Sequence, residues 1–301
     1  MGLEQIRDLI RVVSNNVSSS KAKCGDCGVA DHNYNGKALN GVWIDLSQKK
    51  SDIEAPVEIE AKIKAVDLGF DIQKDLHNRL GIFASYRQGE YEMSGAGKDY
   101  YAKEGADIDI DSWILGLYHR YDKGRIWTMT SLYGGLQKVD LSTDDGTKAD
   151  TEGMELGGSI EAGIVFEPQK RLTIEPNIRL GYNFIKYDDM SDAYGKTAKY
   201  DNIHNVEAEA GVKVEKRWEF GKYNMAKLYL KPSIIQNFGQ GDVNITSLDT
   251  IEGVENQTLI RGEIGGSLNF ENGLTAFGAL GYSYGSDYKS TVFNLGLGYR
   301  W

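Results

Sequence analysis

The sequence predicts an all-β protein, an antiparallel transmembrane β-barrel of about twelve strands with an N-terminal α-helix in the pore. Three observations support this prediction. Apolar and polar residues alternate over runs longer than the roughly 5–6 residues of an ordinary soluble strand. These runs number about twelve, an even count as is usual for single-chain membrane barrels. The last run continues to an aromatic residue at the end of the sequence, Trp301.

Composition narrows the class of protein. The 301 residues include 44 Asp and Glu against 34 Lys and Arg, a formal net charge of -10. This acidic balance argues against a nucleic-acid partner, which would attract a basic surface. The combination of 4 prolines, 36 glycines and 18 tyrosines is typical of strands that alternate with tight bends and of the aromatic girdles of a membrane barrel. On composition alone, a soluble β-rich protein remains the alternative.

No apolar run reaches the roughly 18 residues that a transmembrane helix needs. The mean hydropathy of -0.44 is compatible with a barrel, because lipid-facing and lumen-facing residues average out. Residues 1–20 carry Glu4, Arg7 and Arg11 within their apolar stretch and therefore do not resemble a secretory signal peptide. We expect the natural chain of an exported protein to begin upstream of Met1.

Residues 3–19 are predicted to form an amphipathic helix. The apolar residues at helical spacing are Leu3, Ile6, Leu9, Ile10, Val13 and Val17. A helix of this length spans roughly 25 Å, close to the height of the apolar band of a barrel. We expect it to lie in the pore, with Arg7 and Arg11 paired to lumen carboxylates; a helix packed outside the barrel is the alternative. The candidate carboxylates are Glu161, Glu175 and Glu263.

The segment from Leu172 to Phe184 is the clearest strand, because one parity is apolar throughout and the other mixes Glu175 and Arg179 with small residues. A mixture of charges, Gly and Ser on the polar side favours a crowded lumen over a solvent-facing sheet surface. The predicted strands are 38–47, 57–74, 79–93, 108–121, 125–141, 153–167, 172–187, 203–217, 224–238, 257–270, 274–285 and 290–301. The predicted lumen-lining residues are Glu161, Glu175, Arg179, Arg261, Glu263 and Arg300.

The connections between these strands alternate in length. Short turns are predicted at 75–78, 122–124, 168–170 and 271–273, and longer loops at 94–107, 142–152, 188–202 and 239–256. Short turns on one side of the membrane and long loops on the other are typical of bacterial outer-membrane barrels.

In the last predicted strand, large apolar residues occupy every second position. They are Phe293, Leu295, Leu297, Tyr299 and Trp301. A final strand of this kind resembles the assembly signal of outer-membrane proteins, which is read by the barrel-assembly machinery. The alternative is an amphipathic edge strand that happens to end the chain.

Several stretches together resemble the C-terminal β-domain of autotransporters, the translocator of type V secretion. They are Val66–Asp71, Arg79–Tyr86, Trp113–Tyr118 and Leu295–Trp301. The resemblance covers about residues 37–301, with residues 1–36 as a linker that contains the pore helix and the end of a truncated passenger. Trp301 departs from the more usual Phe, which changes little because both are large aromatic residues.

The resemblance implies a monomeric barrel in the bacterial outer membrane that secretes its own N-terminal passenger domain. Its partners would be outer-membrane lipid and the barrel-assembly machinery, and it implies no cofactor, no metal and no enzymatic activity. Some members cleave themselves at an asparagine in the pore helix, which makes Asn15 and Asn16 candidates for self-cleavage.

Two other functions remain open. The first is a barrel enzyme, a protease or phospholipase, for which His204 at a strand end is the candidate; the second is a simple porin, which would have no use for a helix before its first strand. Cys24 and Cys27 form a single C-x-x-C pair, too few ligands for a zinc site, and a local disulfide is the better interpretation.

Overall fold

The structure is a computed structural model. It describes residues 11–13, 40–54, 58–73, 75, 77–94, 105–144, 146, 148–191, 197–200, 202–220, 224–240, 242–245, 250–252 and 256–301. Its strands are β1 (Asn40–Ile53), β2 (Glu58–Gln73), β3 (Asn78–Ser94), β4 (Ala106–Lys123), β5 (Ile126–Thr143), β6 (Lys148–Ile164), β7 (Phe166–Gln169), β8 (Leu172–Tyr187), β9 (Met190–Ser191), β10 (Thr197–Tyr200), β11 (Ile203–Phe220), β12 (Asn224–Gln240), β13 (Asp242–Ile245), β14 (Thr250–Glu252), β15 (Gln257–Asn269), β16 (Leu274–Tyr284) and β17 (Tyr288–Arg300).

Twelve long strands form one closed antiparallel barrel. Their order around the wall is β1, β2, β3, β4, β5, β6, β8, β11, β12, β15, β16 and β17, and β17 pairs with β1. The short strand β7 pairs with β8 beside the end of β6, and β9, β10, β13 and β14 form a separate small sheet. The predicted twelve-stranded barrel is confirmed.

The first and last strands close the barrel through a continuous register from Gly41 opposite Arg300 to Ile53 opposite Tyr288. The backbone N–H of Trp301 also donates to the carbonyl of Asn40, at 3.2 Å. Closure is required because the unpaired N–H and C=O groups of an open sheet edge cannot be left in a hydrocarbon environment.

The two ends of the barrel differ. At one end, named here the turn end, neighbouring strands are joined by tight turns, and Gly124, Arg171 and Gly273 have positive φ. Gly273 has φ 88°, and a Cβ there would lie 2.2 Å from the carbonyl oxygen of Arg300, so this turn requires glycine. The other end, named the loop end, carries the connections 95–105, 188–202 and 241–256.

Two predicted boundaries at the loop end were wrong. β1 continues to Ile53 rather than ending at residue 47, and β6 begins at Lys148 rather than 153. The predicted loop at 142–152 is therefore reduced to residues 144–147. The reason is that these strands continue beyond the apolar band with charged residues on their outer face, a pattern that had indicated a loop.

The outer wall carries a band of exposed large apolar side chains. The most exposed are Leu115, Leu136, Ile178, Ile260 and Ile82, each more than 60% accessible. In a soluble protein such a continuous surface would be unstable, whereas in a bilayer it faces lipid. The described residues contain no helix that is long and apolar enough to cross a membrane.

On strands β2 to β6, the apolar band of the outer wall ends abruptly toward the loop end. Its last apolar row toward the loop end runs across neighbouring strands as Val66, Tyr86, Trp113, Leu136 and Met154. The next outward row is Lys64, Gln88, Asp111, Lys138 and Glu152. Tyr86 and Trp113 lie 5.4 Å apart at this boundary, and the Tyr86 hydroxyl donates to Asp111 at 2.9 Å. This placement is typical of an aromatic girdle at the membrane interface.

Beyond the boundary the polarity of the wall is inverted, because the inner face becomes apolar. The buried inner side chains there are Ala61, Ile63, Tyr91, Ile108, Ile110 and Val139. Above the apolar band, therefore, the wall has the polar-out, apolar-in pattern of a water-soluble sheet.

One outward row in this part of the wall is entirely acidic. Glu90, Asp109, Asp140 and Asp150 lie directly opposite one another on β3, β4, β5 and β6. Partial burial and then the charge of Glu90, with smaller contributions from Asp140 and other neighbouring carboxylates, raise the pKa of Asp109 above its usual value. Like charges directly opposite each other destabilise an antiparallel pair.

Inside the barrel, aromatic rings lie over glycines of the neighbouring strand. A Cβ at Gly69 would lie 2.1 Å from the Trp43 ring, and a Cβ at Gly81 would lie 2.1 Å from the Tyr118 ring. Further directly opposed pairs are Phe83 and Gly116, Tyr133 and Gly157, Trp127 and Gly163, Tyr229 and Gly265, and Phe277 and Gly296. Some of the glycines and aromatic residues thus pack against each other in the lumen rather than forming turns and girdles.

The acidic row generates a stability prediction. Asp109→Asn should raise the thermal stability of the detergent-solubilised barrel at pH 7 by an amount worth about 1 kcal/mol or less. The raised pKa means that the ionised carboxylate is disfavoured in the folded barrel, so native stability falls as pH rises through that pKa. The gain of the variant should therefore disappear in acid. The measurement is the midpoint of the heat-dependent gel-mobility shift at both pH values.

Asp111→Asn is the matched control, since Asp111 is next on the same face of β4 but accepts the Tyr86 hydroxyl and lies opposite Lys138. Its substitution should not raise the midpoint. An equal gain in both variants would contradict the assignment to the Asp109 row and indicate a general effect of net charge.

Candidate functional site

The lumen wall is lined by charged side chains that are paired along the wall. Arg87 lies 3.1 Å from Asp67, and Lys213 lies 3.1 Å from Glu175. These side chains point inward because the period-two pattern that turns the apolar residues toward lipid turns the alternate positions into the barrel. Pairing offsets the cost of removing the charges from bulk water.

The structure places five of the six predicted lumen residues deep inside the barrel. Glu161, Glu175, Arg179, Arg261 and Glu263 are each 7% exposed or less. Arg261 and Glu263 bind each other at 3.0 Å. The sixth residue, Arg300, is at the turn end of β17, where its half-buried guanidinium lies 3.7 Å from Asp71.

One charged cluster of the lumen wall is formed by Arg179 on β8, Glu207 and Glu209 on β11, and Lys231 on β12. The Arg179 guanidinium donates to Glu207, and to Glu209 at 2.8 Å. Lys231 lies 3.0 Å from Glu209. Glu207, Glu209 and Lys231 were missing from the predicted site, although they share the inward parity of their strands and were detectable from it.

Arg11 joins this cluster from inside the barrel. Its guanidinium donates to Glu207 at 3.1 Å and to Glu209 at 3.1 and 3.2 Å. The prediction that Arg11 pairs with a lumen carboxylate is confirmed, but the carboxylates are these two and not the three named from the sequence. Arg7 lies outside the described residues.

Arg11, Val12 and Val13 are helical, and all three side chains are buried. Val12 and Val13 belong to an apolar cluster with inward-facing residues of the wall. These are Trp43, Phe83, Ile114, Tyr118, Trp127, Met129, Tyr133 and Ile185. The described part of the predicted helix therefore lies in the pore, which rules out packing on the outer surface for these three residues.

The described residues enclose an open space in the lumen. A cavity of about 490 Å³ lies at the turn end. Its lining includes Arg120, Trp127, Glu175, Lys213 and Lys227. The Arg120 guanidinium lies 4.2 Å from the centroid of the Trp127 ring, a cation–π contact that fixes this wall of the cavity.

The five residues of the predicted C-terminal signal all face outward. Phe293, Leu295, Leu297, Tyr299 and Trp301 are 46–55% exposed. The Trp301 ring contacts Tyr299 and Phe70, with centroids 6.0 and 6.2 Å away. They form one stripe on the lipid-facing side of the strand that closes the barrel.

The remaining candidates do not form a reactive site in the part of the chain that is described. His204 lies on the outer wall, where its Nδ1 shares a hydrogen bond of 2.8 Å with the Tyr182 hydroxyl. Asn15, Asn16, Cys24 and Cys27 lie outside the described residues.

Comparison with known proteins gives a consistent result. The family model described as "Autotransporter beta-domain" matches residues 48–281. No curated protein sequence shows a significant match.

Three solved structures share the fold at low sequence identity. The translocator domain of autotransporter NalP from Neisseria meningitidis has a TM-score of 0.72 at 15% identity, covering 97% of this chain and 96% of that one. The β domain of the Bordetella autotransporter BrkA has a TM-score of 0.68 at 15% identity, covering 87% of this chain and 100% of that one. The transport unit of AIDA-I from Escherichia coli has a TM-score of 0.65 at 15% identity, covering 96% and 97%.

The family model spans most of the barrel, and the fold agrees with it. The chain therefore belongs to the autotransporter β-domain family and is an outer-membrane translocator domain for secretion of an N-terminal passenger.

Proposed function

We propose that the passenger leaves through the lumen and that the helical segment around Arg11 then closes it. In this division, residues 1–36 are the linker that joins the passenger to the barrel, and residues 37–301 are the translocator. The observation that supports the proposal is the pair of buried hydrogen-bonded contacts from Arg11 to Glu207 and Glu209.

The carboxylates that Arg11 binds also have other cationic partners, so the wall does not need Arg11 to be stable. Glu207 and Glu209 already bind Arg179, and Glu209 also binds Lys231. The wall therefore keeps paired charges whether or not Arg11 is present, and Arg11 adds a cation to two carboxylates that remain compensated. Such a contact holds the segment in place without requiring it for the folding of the barrel.

We assign the six predicted lumen residues the role of a hydrated wall. Their charges attract water into the pore and pair with neighbours, so the wall offers a passing chain few unpaired charges. They are Glu161, Glu175, Arg179, Arg261, Glu263 and Arg300. No cofactor takes part in this function, because transport through an open lumen requires no chemistry.

The barrel acts as a monomer in outer-membrane lipid. Its turn end faces the periplasm and its loop end faces the outside, since short turns are periplasmic in this class. The outward stripe from Phe293 to Trp301 is the signal that the barrel-assembly machinery reads.

Release of the passenger by self-cleavage is a finer part of the proposal. Asn15 and Asn16 follow Val13 closely in sequence, and Val13 is fully buried in the pore. A cut at either asparagine would separate the passenger from the barrel. The test is passenger release in Asn16→Ala: unchanged release excludes self-cleavage at Asn16.

The closure proposal predicts a change in conductance. Single channels of the full chain in planar bilayers should conduct poorly, whereas a chain that begins at Gly36 should conduct continuously, because the pore no longer contains the segment. Arg11→Ala should open intermittently, since the segment is retained but loses its contacts with Glu207 and Glu209.

Lys213→Ala is the control for removal of one lumen cation. Lys213 binds Glu175 and belongs to the cavity at the turn end. It should leave the low conductance of the full chain unchanged. Equal conductance in the full chain and the chain beginning at Gly36 would refute closure of the pore and favour a simple porin.

The assembly proposal predicts that Trp301→Ala lowers the amount of folded barrel in cells several-fold, while the purified variant refolds normally in detergent. Trp301 is 52% exposed and its ring contacts Tyr299 and Phe70 on the outer wall, so little folding energy is lost with it. Trp113→Ala is the control, because Trp113 is equally exposed on the outer wall. If both variants accumulate in cells to the same level, the signal does not include Trp301.

A further inference from the structure

Two amide side chains in the lumen wall have no hydrogen-bond partner although they are completely buried. Asn205 on β11 and Asn237 on β12 are both 0% exposed. The Oδ1 and Nδ2 atoms of both side chains are unpartnered, as is the Oγ of Ser233 on β12.

Three other buried amides of the wall are bonded. Asn294 donates to Asp45 at 2.8 Å, Gln137 donates to Glu155 at 2.5 Å, and Asn183 accepts from the Tyr133 hydroxyl. A buried polar group without a partner costs folding free energy, so it requires an explanation. The wall can satisfy an amide where the amide is structural, and Asn205 and Asn237 are exceptions on two adjacent strands.

The three unpartnered groups lie along one line of the wall. Asn237 is directly opposite Glu207, and Asn205 is opposite Gly239, two residues further along β12. Ser233 lies four residues from Asn237 on the other side. Along β12, Asn237 and Ser233 are separated by about 13 Å, which is twice the period at which an extended peptide presents successive peptide groups to one side.

The line is next to the only place where the described structure has a chain segment inside the pore. Glu207, which neighbours both Asn205 and Asn237, binds Arg11. Ile235, between Asn237 and Ser233, belongs to a buried apolar cluster with Leu259 and Tyr288. Low access of water beside the line strengthens any hydrogen bond formed there.

The hydrogen-bonding groups of an amide side chain match the peptide backbone of a passenger, which is the same whatever the passenger's sequence. An Asn side chain carries one acceptor oxygen and a donor NH₂, and a peptide group carries the complementary carbonyl and N–H. A translocator for a long chain meets many kinds of side chain, but every residue brings a backbone carbonyl.

We propose that Asn205, Asn237 and Ser233 form a backbone track, a set of side chains that hydrogen-bond the main chain of the extended passenger in transit. The track rests on the translocation function and adds the groups that contact the substrate. Its amides remain unpartnered when Arg11 occupies the cluster because they are fitted to the chain in transit rather than to the closed state.

The test is the double variant Asn205→Leu/Asn237→Leu in a chain with a passenger ahead of Met1. Passenger transit is measured in pulse-labelled cells as the time to become accessible to external protease, counted only for assembled barrels. We expect transit to be roughly fivefold slower or more, because two hydrogen-bonding sites are lost. The heat-denaturation midpoint of the barrel should stay the same or rise, because leucine has the same branched shape as asparagine and does not bury an unpartnered amide.

Asn294→Leu is the matched control, a buried lumen amide that is bonded to Asp45. It should lower the midpoint, since Asp45 loses its donor, and leave transit per assembled barrel unchanged. Asn205→Ser/Asn237→Ser replaces each amide with a hydroxyl, which can also donate and accept a hydrogen bond, and should restore part of the transit rate.

Native transit in the double leucine variant would overturn the track while leaving translocation itself intact. Equal slowing in Asn294→Leu would also overturn it, because the effect would then follow from any change in the wall. If the leucine variant does not assemble, Asn205→Ala/Asn237→Ala is judged by the same two readings. Failure of the unaltered chain to secrete would instead refute the translocation function.

Discussion

The pairing of every backbone N–H and C=O within the wall is the constraint on which the rest of the structure depends. In hydrocarbon an unpaired backbone group costs several kcal/mol, so the first and last strands must meet. The register from Gly41 opposite Arg300 to Ile53 opposite Tyr288 satisfies this requirement along the whole of β1. Once the sheet is closed, the period of two sends one parity of every strand to lipid and the other to the lumen.

One exception to this pairing, between β11 and β12, has a local cause. The register between β11 and β12 passes from Gly211 opposite Ser233 to Val214 opposite Leu230, and the two positions between them are not paired. Pro232 stands in this gap and has no N–H to donate. The inward neighbour Lys231 binds Glu209 across the same strand pair, so a side-chain ion pair links the strands beside the missing backbone bond.

Much of the fold was predictable because the constraint leaves a local signal. Strict alternation identifies a strand without knowledge of its partner, and Leu172–Tyr187 was predicted to the residue. The signal fails where the strand leaves the membrane: β1 was predicted to end at residue 47, before Lys49 and Lys50, but it continues to Ile53. In the structure Lys49 is buried inside the barrel, with its Nζ 6.0 Å from the centre of the Tyr288 ring.

The site was less predictable than the fold, because parity gives the direction of a side chain but not its partner. Glu161 and Glu175, predicted to line the lumen, are buried, but Arg11 binds Glu207 and Glu209, which are 196 and 198 residues away in sequence. The partner depends on how far the segment enters the pore and on its rotation, and neither is encoded in a local pattern. The two unpartnered asparagines were equally hidden, since an amide on a lumen parity looks the same whether or not it is bonded.

The order of events in secretion follows from the charge arrangement around Arg11. A buried ion pair that loses one partner is destabilised by about 3–5 kcal/mol, because the remaining charge is left uncompensated. If Glu207 and Glu209 had no other partner, this penalty would destabilise the barrel whenever Arg11 was absent, including while a chain passes through the lumen. Here Arg179 and Lys231 already balance Glu207 and Glu209, so the wall is stable before Arg11 arrives. Closure by Arg11 can therefore come last, after the barrel has folded and the passenger has left, without the barrel having been assembled around it.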